Sequence, residues 1–99
     1  MLFVTAQPEA LDAAASSLAA IGSTLAAQNG STATPMSGVA PAAADEVSLL
    51  TAAKFAGQAQ MFQAFSAQAA QMHDAFVATL RTSAASYSAT EAANAAVAR

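Results

Sequence analysis

The chain has 99 residues, enough for one domain and at the small end of what can bury its own core. Hydrophobic residues reach 56%, roughly a third of all residues are alanine, and charged residues are only 9%, which excludes a charge-rich disordered tail. A net charge of −3, no cysteine and three scattered cations (Lys54, Arg81, Arg99) argue against a nucleic-acid partner and exclude a disulfide framework and a thiolate metal site.

In chain order, the start MLFVTAQPEA has no basic segment, and its apolar run stops at Val4, so no cleaved signal peptide is expected. Two stretches carry no formal charge, 13–44 and 55–73. Neither is expected to span a membrane. The first is broken by Gly30, Pro35, Gly38 and Pro41. The second carries Gln58, Gln60, Gln63, Gln68 and Gln71, whose amides are costly in hydrocarbon.

Good helix formers dominate, and no segment alternates with period two, so no strand is predicted. Helix 1 is predicted over about 8–29. Pro8 suits the first helical position, where its missing N–H has no intrahelical partner. Glu9 and Asp12 follow in the first turn, at the positive end of the helix dipole. Leu11, Leu18 and Leu25 recur every seven residues, with Ala14 and Ile21 between them, a seam for packing along another helix. The breakers cluster in GSTATPMSGVAP, so the turn is placed at about 30–41.

Helix 2 is predicted over about 42–86, with Asp45 and Glu46 in its first turn and a short C-terminal tail after it. At about 100° per residue, Leu50, Phe55, Met61, Phe62, Phe65, Met72, Phe76, Leu80 and Tyr87 fall within an arc of roughly 140°. Only Leu49 and Val77 stray from it. The stripe is too long and too broad for helix 1 to cover, and exposed apolar surface of this kind marks an interface. The predicted fold is all-α: one domain over 1–99, an antiparallel two-helix hairpin with a long second helix, completing an elongated helical bundle with a partner. The residues expected to form the interface are Leu11, Leu18, Ile21, Leu25, Leu50, Phe55, Met61, Phe62, Phe65, Met72, Phe76 and Leu80.

Catalytic constellations are missing from the sequence. His73 is a lone histidine beside Asp74, and consecutive helix residues diverge by about 100°. No serine sits in G-x-S-x-G, and Gly30 and Gly38 lack the lysine of a phosphate loop. The expectation is a non-enzymatic chain with no cofactor and no metal. Tyr87 and Glu91 are four apart and share a face if helical.

Pro8-Glu9 near the N-terminus, the segment PAAADEVS (Pro41–Ser48) and Tyr87-x-x-x-Glu91 near the end together resemble a mycobacterial PE protein, over essentially the whole chain. The long Gly-rich or enzymatic tails of other members are absent, so it is similar to the short PE-only members. The resemblance implies a heterodimer with a PPE protein, exported by a type VII (ESX) secretion system. It implies an EspG-type chaperone that joins a ternary complex by holding the PPE chain. It implies that Tyr87 and Glu91 form the export signal, and that the pair assembles in the cytoplasm and ends secreted or at the cell surface. Host interaction and transport across the outer membrane are the roles it implies there. Pro8 and Glu9 are the family's motif; their physical role on the residues alone is a helix start. A helical homo-oligomer satisfies the same burial argument, and a membrane-active amphipathic protein is the other reading, though it lacks the usual Lys and Arg on the polar face.

Overall fold

A computed structural model describes residues 5–98. The apolar start up to Val4 and the cation Arg99 lie outside the described residues. Two helices make up the fold: α1, Pro8–Ser37, and α2, Glu46–Val97. The architecture is an all-α two-helix hairpin with a long second helix, 52 residues against 30. The chain divides into two compact units, Met1–Gly22 with Met72–Arg99, and Ser23–Gln71. Each unit is an antiparallel pair of helical segments.

The helix ends follow local chemistry. Pro8 opens α1, and the carbonyl of Gln7 accepts from Ala10 N at 3.1 Å and Leu11 N at 3.2 Å. The turn predicted at about 30–41 is shorter in the structure, because α1 continues to Ser37. Gly30 and Pro35 both lie inside it. Along this last stretch hydroxyls return to preceding carbonyls: Ser31 Oγ donates to Gln28 O at 2.8 Å, Thr32 Oγ1 to Asn29 O at 3.0 Å and Ser37 Oγ to Ala33 O at 2.7 Å. Pro35 sits in the final turn, where it disturbs little that follows it. Gly38 N closes the helix on Thr34 O at 2.9 Å.

Helix α2 starts at Glu46, later than the predicted 42. The reason is Asp45, which stands before the helix as its cap. Ser48 N donates to Asp45 Oδ1 at 2.8 Å, and Ser48 Oγ donates to Oδ2 at 3.0 Å. The Ser48 backbone N–H, helped by its hydroxyl, holds the Asp45 carboxyl below its ordinary pKa. At the other end α2 runs on to Val97, well past the predicted 86. The stretch EAANAAV has neither glycine nor proline and is rich in the strongest helix former.

The helix pair packs on small side chains. Among the described residues the buried ones are Ala15, Ala59, Val77 and Ala84, three alanines and one valine. Along α1 the shielded positions are Pro8, Leu11, Ala15, Leu18, Ala19, Gly22, Asn29, Ala33 and Met36. Ala19 apart, these recur in steps of three, four or seven, with a seven-residue frame through Ala15 and Gly22. The frame predicted through Ala14 and Ile21 is therefore rotated: both are exposed, as is Leu25, while Leu11 and Leu18 are half-buried. Along α2 the shielded positions include Ala52, Ala56, Ala59, Gln63, Ser66, His73, Val77, Leu80 and Ala84. Val77, one of the two residues outside the predicted stripe, is only 5% exposed, the best-buried large side chain.

By length and mean hydropathy, 1.3 over its most apolar window, α1 passes the test for a membrane span, contrary to the sequence expectation. The breakers that argued against a span do not interrupt the helix. Its apolarity comes largely from alanine, which also serves the seam.

Candidate partner-binding surface

Alanine in the seam decides where the large side chains go. On α2 the Phe/Met stripe lies about 100° around the helix from the seam. On α1, Ile21 and Leu25 lie roughly 60–90° from the seam, in the same rotational sense. Because the segments run antiparallel, equal offsets in the same sense place both sets on one face of the pair. In the Met1–Gly22/Met72–Arg99 unit that face holds Ile21, Met72 and Phe76. In the Ser23–Gln71 unit it holds Leu25, Leu50, Phe55, Met61, Phe62 and Phe65.

All of these are solvent-exposed. Met72 is 74% exposed and Phe65 62%. Leu80, Leu11 and Leu18 are half-buried, at the border between seam and stripe. The exposed surface totals 7477 Å² for a 9.8 kDa chain, whereas a compact monomer of that mass exposes about 5,200 Å². Covering one large apolar side chain is worth about 1.5–3 kcal/mol. The opposite face is mostly polar and small, with Asp12, Ser16 and Ser23 on α1 and Gln60, Asp74 and Arg81 on α2, Leu49 being exposed there as an exception.

Pro8 and Glu9 line a shallow open cleft with Asp12, Arg81, Ala84, Ala85 and Ser88. It brings one guanidinium beside two carboxylates. Since Pro8, the first residue of α1, lies at the level of Ser88, α2 beyond that point has no α1 residue alongside. Tyr87, 50% exposed, stands at that level, and Glu91 is exposed one turn beyond it. Both stand within α2, where the sequence placed them in a tail after the helix. They share a helix face.

Sequence reasoning missed the contact between His73 and Gly22. His73 Nε2 lies 2.6 Å from Leu18 O, so it donates to that carbonyl in the Nε2–H form. A Cβ on Gly22 would come within 2.7 Å of His73 Cδ2 and 2.8 Å of Nε2. Glycine at 22 is what admits the ring to the α1 backbone. A weaker counterpart, Gln63 Nε2 to Asn29 O, is long at 3.4 Å. A glycine inside a helical pattern was the available signal; nothing in the sequence pairs it with position 73. Among the described residues no group of three His, Cys, Asp or Glu could hold a metal, and no buried side-chain polar atom lacks a hydrogen bond.

Comparison with known proteins gives a consistent result. The model of the PE family matches residues 4–94. PE family protein PE13 of Mycobacterium tuberculosis is 60% identical over 98 residues, covering 99% of both chains. PE family protein PE8 of the same organism is 49% identical over 94 residues, 95% of this chain and 34% of that one. PE-PGRS family protein PE_PGRS33, also from M. tuberculosis, is 54% identical over 96 residues, 97% of this chain and 19% of its own length.

Proposed function

The chain belongs to the PE family, and from that premise we propose that it is a non-enzymatic interaction subunit, one half of an obligate heterodimer with a PPE protein. The observation that carries this reading is the one-sided surface: large apolar side chains on one face of each helix pair, and alanine in the seam between the helices. A partner that lays helices on that face removes it from water and contributes stability that an alanine seam does not supply. The pair is assembled in the cytoplasm, held by an EspG-type chaperone through the PPE chain, and exported by type VII secretion to the surface or beyond.

Copurification of the tagged chain from its own cells tests the pairing. A PPE chain in equimolar amount is expected, and coexpression with it raises the yield of soluble protein. A chain recovered from its own cells with no PPE chain bound contradicts the pairing.

Tyr87 and Glu91 form the export signal, a phenol and a carboxylate on one face of α2, at and beyond the level where α1 starts. Tyr87→Ala and Glu91→Ala are each expected to block export while leaving the heterodimer intact. Unchanged export of both variants removes this role.

A further inference from the structure

We infer that the partner presents a carboxylate opposite Lys54, and that this single charge fixes how the partner is laid on the apolar face. The inference rests on the heterodimer reading above and adds the chemistry of the partner. Lys54 is the only lysine of the chain, and it stands in the apolar stripe. Leu50 lies one turn before it on the same face, and Met61 two turns after it. Arg81, by contrast, stands on the polar side beside Glu9 and Asp12.

Its own unit offers Lys54 no carboxylate within one turn. Positions three and four residues away are Leu50, Thr51, Gly57 and Gln58. No acid occurs between 13 and 44, so the α1 segment of this unit has none. The unit's two acids are Asp45, which caps α2 through Ser48, and Glu46, about 12 Å of helix away.

A partner that covers Leu50 and Met61 also removes water from the ammonium between them. An unpaired charge in such a place costs several kcal/mol, so an apolar partner surface would be rejected there. A second copy laid in parallel register sets lysine against lysine, and Glu46, two turns before Lys54 on the same row, reaches it only from an antiparallel copy; the heterodimer reading leads to a different chain instead. The occupant that fits is a different chain, apolar along its length, with one Asp or Glu at the level of Lys54. Mispaired partners then meet a buried, uncompensated lysine, which is a source of discrimination.

The test uses the heterodimer purified from its own cells, with Lys54→Met and Lys54→Arg made in the full chain. Methionine keeps the length and apolar stem and removes the charge. If the partner carries a carboxylate there, Lys54→Met strands it, and binding weakens by about 30-fold or more, while Lys54→Arg stays within about threefold. The thermal melt of the isolated Lys54→Met chain is expected to be unchanged, since the side chain is exposed. If Lys54→Met binds equally well or more tightly, the lysine merely extends to solvent and the inference is overturned, with the heterodimer itself intact. If the chain instead pairs with a second copy, both the inference and the heterodimer reading fail.

Discussion

The two units divide the burden unequally. The Met1–Gly22/Met72–Arg99 unit holds three of the four buried residues, Ala15, Val77 and Ala84, and the short His73 contact to the α1 backbone. The Ser23–Gln71 unit buries only Ala59, and its cross-helix hydrogen bond is the long Gln63 contact. Among the described residues it also exposes three phenylalanines to the other's one. The lesson is physical: apolar content and internal burial are separate properties. The unit with three exposed phenylalanines is the one that keeps fewer described residues from water, and its seam is built of alanine, serine and glutamine.

Substitutions in each unit separate these roles. The largest effect is expected from Phe62→Ala with Phe65→Ala. Each removes about 2–4 kcal/mol of partner binding, as central aromatics do, and leaves the melt of the isolated chain within about 0.5 kcal/mol. Titration with the partner, beside thermal melts, checks both halves. Equal losses in binding and intrinsic stability would erase the contrast between the units.

Next is the contact of His73 with Gly22. Gly22→Ala is expected to destabilise the isolated chain by about 1–2 kcal/mol, since the new methyl meets the imidazole closer than van der Waals contact allows. In a His73→Ala background the same change becomes stabilising by up to about 1 kcal/mol, the ordinary gain of alanine over glycine in a helix. A four-variant denaturation cycle reads the reversal of sign; the same sign in both backgrounds contradicts the contact. Val77→Ala is expected to cost about 1–2 kcal/mol in the isolated chain, whereas Met72→Ala, exposed one helix face away, costs under about 0.5 kcal/mol.

The smallest effect concerns Asp45. Its carboxyl titrates below the ordinary value of 3.8 because the Ser48 N–H and hydroxyl bind the charged form. A depressed carboxylate stabilises the fold above the unfolded value, and that contribution is lost as pH falls below 3.8 through the folded value. Amide exchange at Ser48 is expected to accelerate in that acidic window, and Asp45→Asn is expected to remove this pH dependence while retaining a capping oxygen.

Much of this was legible in the residues. Pro8 marked the start of α1, and the aromatic spacing marked a face of α2 that α1 does not cover. The seam itself was not legible in the same way. Large residues draw the eye to Leu25 and Ile21, whereas packing chose Ala15 and Gly22, and alanine surrounds both helices so fully that no side of it stands out. Val77 looked like an outlier because the stripe was taken as the reference; it is the seam that Val77 belongs to. Helix ends failed for a different reason. Gly30 and Pro35 carry strong breaker statistics, yet a single glycine inside a helix costs only about 1 kcal/mol and Pro35 falls in the last turn. Asp45 read equally well as a first-turn acid or a cap, and only the Ser48 hydrogen bonds separate the two. The placement of Tyr87 and Glu91 inside α2 follows from the same alanine-rich helix running on to Val97.

Hydroxyl-radical footprinting, performed on the free chain and on the complex drawn from its own cells, probes the account most directly. Phe62, Phe65, Met72 and Phe76 are expected to be modified readily in the free chain and strongly protected in the complex, with Val77 protected in both. Equal modification of the four side chains in the two samples would mean that nothing is laid on the apolar face, and would contradict the account.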